Sequence, residues 1–221
     1  MFMTFALSCD RPTYGAGDLP KPAKDLPATQ PSAATTQPSP QTAVFAGGCF
    51  WCVEAVFEQL AGVSDAVSGY AGGTKQSATY EQVSNGNTAH AEAVRITYDP
   101  AKITYGELLR VFFSSHDPTT KNRQGPDTGT QYRSSIFYAN DNEKQVAEAY
   151  IKQLQEAKTF DKPIVTTIEK LDVFFPAEDY HQNYVDRNPY SGYVQNVAIP
   201  KVKKVREKFK DEVKAREATK E

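Results

Sequence analysis

Residues Thr42-Ala-Val-Phe-Ala-Gly-Gly-Cys-Phe-Trp-Cys-Val-Glu-Ala-Val-Phe-Glu-Gln-Leu60 change their hydrophobic period at a pair of glycines. Thr42–Ala46 is a short apolar run, as a buried strand is, and Gly47-Gly48 halts it. Beyond it, Val53, Val56, Phe57 and Leu60 recur at helical spacing over Trp51–Leu60. A strand therefore hands over to a helix at Cys49. The junction leaves unpaired N–H groups and the positive end of the helix dipole facing the sulfur, which predicts a thiolate. The glycines permit a sharp turn, and an exposed nucleophile on such a turn suits covalent catalysis. Cys52 lies one helical turn along the same face, with Cβ atoms about 5–6 Å apart. A disulfide between the two needs only local adjustment.

Working outward, Val63–Tyr70 and Ala89–Tyr98 read as strands, the second ended by Asp99-Pro100. Thr104–Ser114 reads as a helix, with Thr104 as N-cap and Glu107 as its capping-box partner. Residues 115–133, rich in Gly, Pro, Asp and Thr, read as a long functional loop. Ser134–Tyr138 is a predicted strand, Asp141 is the predicted cap of a helix reaching about Lys158, and Pro163–Lys170 is a further strand. No internal repeat is visible. This order predicts an α+β layered domain with a mixed sheet over residues 42–200. Residues 201–221 form a charged C-terminal helix with one narrow apolar stripe at Val202, Val205 and Phe209.

Composition limits the function. The chain has 221 residues, 39% of them hydrophobic, which is enough for one domain with a substantial core. A formal net charge of -2 lacks the basic excess of a phosphate-binding surface, so no nucleic acid partner is expected. No run approaches the roughly 18 apolar residues of a membrane span, in keeping with a mean hydropathy of -0.56. Residues 11–41 hold Pro12, Pro20, Pro22, Pro27, Pro31, Pro38 and Pro40 with Tyr14 as their only aromatic, and this disordered N-terminal segment is read as a linker. As polyproline II it reaches about 90 Å, and as a random coil about 30 Å. Residues 1–10, apolar and then abruptly polar at Cys9-Asp10, resemble a truncated bacterial lipoprotein signal, which implies a membrane tether through Cys9 and an extracytoplasmic domain. Read instead as an unstructured start, the same residues leave the protein cytoplasmic.

Three cysteines, Cys9, Cys49 and Cys52, are too few for a disulfide scaffold. The Cys49/Cys52 pair has three readings: a buried structural pair, a zinc half-site completed by His90, His116 or His181, or redox and nucleophilic chemistry. No second CxxC accompanies it and the histidines are scattered singly, which favours the last. His116 and His181 are read as structural.

Further segments share one resemblance. Phe45-Ala-Gly-Gly-Cys-Phe-Trp-Cys-Val-Glu54, Ser68-Gly-Tyr-Ala-Gly-Gly73, Tyr80 with Asn87-Thr-Ala-His-Ala-Glu-Ala-Val-Arg95, Gly129-Thr-Gln-Tyr-Arg-Ser134 and Ala177-Glu-Asp-Tyr-His-Gln-Asn-Tyr184 resemble, in order, the motifs of the A-type peptide methionine sulfoxide reductases. The resemblance implies a two-layer, ferredoxin-like sandwich and the reduction of methionine S-sulfoxide, free or in proteins, without cofactor or metal, by a thioredoxin-like or other dithiol reductant. It implies Cys49 as nucleophile and Glu92 as general acid. Tyr80 and Tyr132 become hydrogen-bond donors to the sulfoxide oxygen, and Phe50 and Trp51 an apolar cage for the substrate's S-methyl group. Asp127, Glu54 and Tyr184 are implied at the substrate site. A sulfenic acid on Cys49 then awaits a second thiol, and within the domain only Cys52 is available, unless the reductant attacks directly. A monomer is expected. A general CxxC thiol–disulfide oxidoreductase and a tethered metal- or peptide-binding module are the rival readings.

Overall fold

In the computed structural model, which describes residues 18–26 and 39–215, the apolar run ahead of the double glycine is strand β1 (Gln41–Gly47), in the middle of a six-stranded sheet. The other strands of that sheet are β2 (Val63–Ala71), β3 (Ala91–Tyr98), β6 (Ser134–Tyr138), β7 (Thr167–Lys170) and β8 (Phe174–Pro176). Their order is β7-β6-β1-β3-β2-β8, antiparallel except for the β6/β7 pair. The short strands β4 (Arg123–Gln124) and β5 (Asp127–Thr128) pair apart from it, inside the long loop read from the sequence.

Strand period sorts the core into two faces. Ala43 and Phe45 of β1, Ala66 and Tyr70 of β2, and Val94 and Ile96 of β3 join the large cluster under the helices. Val44, Ala46, Ala71, Ala91, Ala93 and Phe137 point the other way, where Leu171 and Phe174 pack on them. The helices are α1 (Phe50–Phe57), α2 (Tyr80–Ser84), α3 (Tyr105–Ser115), α4 (Asp141–Glu156), α5 (Tyr184–Arg187) and α6 (Ile199–Lys208). The Thr104/Glu107 capping box of α3 is present in both directions. The α+β layered class is that read from the sequence.

Several boundaries differ for local reasons. The cap of α4 is Asn140, not Asp141: its side chain accepts from Glu143 N at 3.0 Å, leaving Asp141 as the first helical residue. Of the expected strand Pro163–Lys170 only Thr167–Lys170 pairs, and the strand expected from Ala89 begins at Ala91. The C-terminal helix is short, yet Val205 and Phe209 are buried in the main core and Val213 bridges back to Leu60.

The linker reading needs the largest correction. Residues 18–26 lie against α3 and α4, with Leu19 4% exposed in the main core. Leu19, Pro20 and Lys21 each offer a carbonyl to a helix side chain, so these prolines order an extended segment instead of loosening one. Cys9 and the remaining leader residues lie outside the described residues.

Candidate active site

The turn that ends β1 is built around Gly48, whose φ of +98° suits glycine and where a Cβ would meet Gln124 Cγ at 2.5 Å. Gln124 accepts from Asp117 N and donates to Asp117 O, which ties the long loop across itself where the Gln124 side chain lies against Gly48. Behind it His116 donates through Nδ1 to Phe112 O (2.7 Å), and its Nε2 meets Ser134 Oγ (2.8 Å). Burial lowers this histidine to about 4, so it is a neutral brace.

Cys49 is the N-cap residue of α1, and its carbonyl accepts from the N–H groups of Cys52 and Val53. Its side chain is only 6% exposed, contrary to the expectation of an open, ionised nucleophile. Burial pushes the Cys49 thiol well up, and the neighbouring Cys52 and Glu92 push the same way. A helix terminus supplies about 0.3–1 kcal/mol, less than one pKa unit, so desolvation wins. Cys52 is drawn down to about 7, chiefly by its hydrogen bond from Cys49, against its own burial and with help from the Lys201 charge. The two thiols therefore titrate as a pair, and their hydrogen bond lets a proton pass between them.

Glu92 belongs to β3 with the parity of Val94 and Ile96, which turns it toward α1. It is 2% exposed and its Oε2 accepts from Phe50 N at 3.0 Å, beside Cys49. Burial raises it to about 8; the Phe50 N–H opposes this, and the negative charges of Asp127 and Cys52 add to it. Glu92 is a protonated acid at neutral pH. Tyr80, the first residue of α2, and Tyr132, the last of the 3₁₀ turn Thr130–Tyr132, are both half-buried. Burial first, then Glu92 and Cys49, raise both phenols, so both stay hydroxyl donors facing the same two groups.

The aromatic wall follows from the helix start. Phe50 is buried, with ring centroids 5.0 Å from His181 and 5.9 Å from Tyr70. Trp51 is half-buried, stacked on Tyr184 at 3.7 Å and 8°, and its Nε1 donates to His181 Nδ1 at 3.1 Å. Tyr184 thus covers one face of Trp51. Asp127 accepts from Tyr193 at 2.6 Å, and the Tyr193 hydroxyl is 3.8 Å from Cys52 Sγ. Glu54 does not join the wall. One turn below Phe50, it accepts from Ser68 Oγ at 3.0 Å and Asn183 N at 3.1 Å, so it braces the segment that carries His181 and Tyr184.

Three functional positions escaped the sequence reading or were undervalued there. Tyr193 lies in 185–199, between the last motif and the charged tail, and its approach to Cys52 depends on the five-residue π-turn Val194–Ala198 and α6 folding back onto α1. Glu178 accepts from Tyr70 Oη at 2.8 Å and Tyr80 N at 3.0 Å. His181, read as structural, ties Trp51 to Phe50 and to Tyr80, whose ring is 4.3 Å away. Among the described residues no group of three or more His, Cys, Asp and Glu side chains is placed to hold a metal ion.

Residues 41–213 match the family model described as peptide methionine sulfoxide reductase. The chain is 54% identical over 176 residues to peptide methionine sulfoxide reductase MsrA 2 of Synechocystis, covering 79% of this chain and 82% of that one. It is 56% identical over 170 residues to MsrA 2 of Mesorhizobium japonicum, covering 76% and 87%. Among solved structures, the reduced form of Mxr1 from Saccharomyces cerevisiae is similar with a TM-score of 0.62 and 36% identity, over 69% of this chain and 87% of that one. Methionine sulfoxide reductase A of Corynebacterium diphtheriae gives 0.61 and 35%, over 79% and 90%. A protonated carboxylic acid buried beside a cysteine pair, inside an aromatic wall, is the equipment that sulfoxide reduction requires, and the chain belongs to the A-type peptide methionine sulfoxide reductases, enzymes that reduce methionine S-sulfoxide to methionine.

Proposed function

We propose that the reaction runs through Cys49, Glu92 and Cys52 in that order, with thioredoxin or a similar dithiol closing the cycle. The observation that carries this reading is the Glu92 carboxyl group, held at the start of α1 by Phe50 N and kept protonated to about pH 8 by burial. The substrate's S-methyl group enters between Phe50 and the free face of Trp51, and its oxygen meets Glu92, Tyr80 and Tyr132. As the Cys49 sulfur attacks the sulfoxide sulfur, its hydrogen passes to the Cys52 thiolate and Glu92 gives its proton to the oxygen. The hydroxyl then passes from the substrate sulfur to the Cys49 sulfur, breaking both the S–O bond and the new S–S bond and leaving Cys49–SOH, Cys52–SH, ionised Glu92 and free methionine. Tyr80 and Tyr132 stabilise the charge that grows on the oxygen.

Cys52 sulfur then attacks the sulfenic sulfur, water leaves with the Cys52 hydrogen, and a Cys49–Cys52 disulfide forms. A dithiol reduces it and is itself oxidised to a disulfide, and one of the returned protons goes to Glu92. The Lys201 charge, which favours the Cys52 thiolate, helps the thiol hydrogen leave as Cys52 attacks. Asp127 orients Tyr193 toward Cys52 and so acts one contact away from the sulfurs. A general thiol–disulfide oxidoreductase would give the buried Glu92 no task. The proposal also keeps the tether: if Cys9 carries a lipid, the domain is extracytoplasmic.

Rapid-mixing release of methionine separates the steps. Cys49→Ser yields no methionine. Cys52→Ser yields one equivalent at close to the parent rate, then turns over at least about tenfold more slowly with thioredoxin. A parent-like steady state in Cys52→Ser removes Cys52 from the cycle.

A further inference from the structure

Ahead of the region that the family model matches, residues 18–26 make a set of contacts that a free linker has no reason to make. Three successive carbonyls are each met by a different side chain: Leu19 O by Arg110 Nε at 2.9 Å, Pro20 O by Tyr150 Oη at 2.9 Å, and Lys21 O by Gln153 Nε2 at 2.8 Å. Gln153 also accepts from Ala23 N at 2.9 Å, so one amide reads both sides of Pro22. Lys24 Nζ donates to Gln145 Oε1 at 2.9 Å. Asp25 Oδ1 accepts from Gly106 N at 2.9 Å, in the first turn of α3, where a carboxylate also meets the helix dipole. Pro20 and Pro22 have no N–H to leave unsatisfied, which lets an extended backbone lie on helices through its carbonyls.

An independent observation comes from the receiving side. Gly106 is the second residue of α3, and its N–H is taken by Asp25. A Cβ there would lie 2.5 Å from Asp25 Oδ2 and 3.1 Å from Pro22 Cβ. The segment packs closely on α3 where the helix carries no side chain.

We propose that the α3/α4 groove is a docking site for this chain's own leader, and that Asp18–Leu26 is a strap that fixes where the leader departs from the domain. The strap meets α3 through Gly106 and Arg110, in its N-terminal half, whereas the C-terminal end at His116 packs against Gly47 beside the cysteine turn. The strap runs antiparallel to α3, Asp25 at Gly106 and Leu19 at Arg110, so the leader departs from the Leu19 end, at the middle of the helix. The geometry also shortens the tether: from Cys9 to the strap is at most about 30 Å of fully extended chain, against about 110 Å from Cys9 to β1. Whatever holds Cys9 thus holds the domain within that shorter reach.

Trypsin tests this on the full chain. Arg11 and Lys21 precede proline, so Lys24–Asp25 is the single ordinary tryptic bond before β1. A docked strap makes that bond at least about tenfold slower to cut than in a synthetic peptide of residues 17–27, because cutting must await local opening. Gly106→Ala, which puts a methyl group against Asp25 and Pro22, and Leu19→Asp, which removes the buried anchor, each accelerate the cut about tenfold. Cleavage of the parent as fast as the peptide overturns the proposal, as does a Gly106→Ala chain cut no faster than the parent. Protection that disappears on dilution also overturns it, since the strap would then be exchanged between copies.

Discussion

Two glutamates buried at α1 are shifted the same way by burial but differ in their hydrogen bonds. Glu92 has one backbone donor on one oxygen, and its ordinary carboxylate range is displaced to about 8. Glu54 has a donor on each oxygen, from Ser68 and Asn183, and burial raises it only to about 7, those two hydrogen bonds pulling it back. Both pay for desolvation, yet only Glu92 keeps an oxygen free to hand a proton to a substrate. Burial alone does not make an acid catalyst: an unfilled hydrogen-bond position beside a reactive sulfur does.

The strongest way to break the comparison is to neutralise each carboxyl in turn. Glu92→Gln lowers the rate of methionine release about 10²–10⁴-fold, as loss of a general acid does. Glu54→Gln lowers it less than about tenfold but destabilises the fold by about 1–3 kcal/mol, since an amide cannot accept on both sides of a buried site. Equal losses of rate in single-turnover assays would erase the distinction.

The pH profile sharpens it next. The acid must hold its proton, so single-turnover release falls as pH rises through about 8, and this falling limb is absent in Glu92→Gln. A rising limb through about 7 follows ionisation of the cysteine pair and persists in that variant. Glu54 enters through stability. Its folded-state value lies above the ordinary carboxylate value, so its contribution is full at acid pH and is lost as pH rises through about 7. The stability deficit of Glu54→Gln, read from urea midpoints, therefore narrows between pH 5 and pH 9. The smallest effect is Ser68→Ala, which removes one donor from Glu54: it costs about 1 kcal/mol and leaves the single-turnover rate within about twofold.

The strand–glycine–glycine–cysteine–helix junction, the capping box at Thr104 and the strand Ser134–Tyr138 were legible because each is written in local period, turn chemistry or capping spacing. The motif resemblance likewise named Cys49, Glu92, Tyr80, Tyr132 and Trp51, which the fold gathers about the start of α1. What local pattern does not carry is dielectric and long-range pairing. The Cys49 thiol is raised, not lowered, because side chains distant in sequence exclude water from it. Tyr193 reaches Cys52, and Glu54 reaches Asn183, only after 129 or more intervening steps of chain have folded back. The prolines of residues 18–26 read as a loose linker because composition records low apolar content, while their order depends on carbonyl acceptors meeting Arg110, Tyr150 and Gln153. Sequence thus determined which elements form and which chemistry is at hand, since both follow from neighbouring residues. Tertiary structure alone decided how far the sulfurs are buried, which glutamate keeps an oxygen free to give a proton, and where residues 18–26 lie, since each depends on who excludes water from whom.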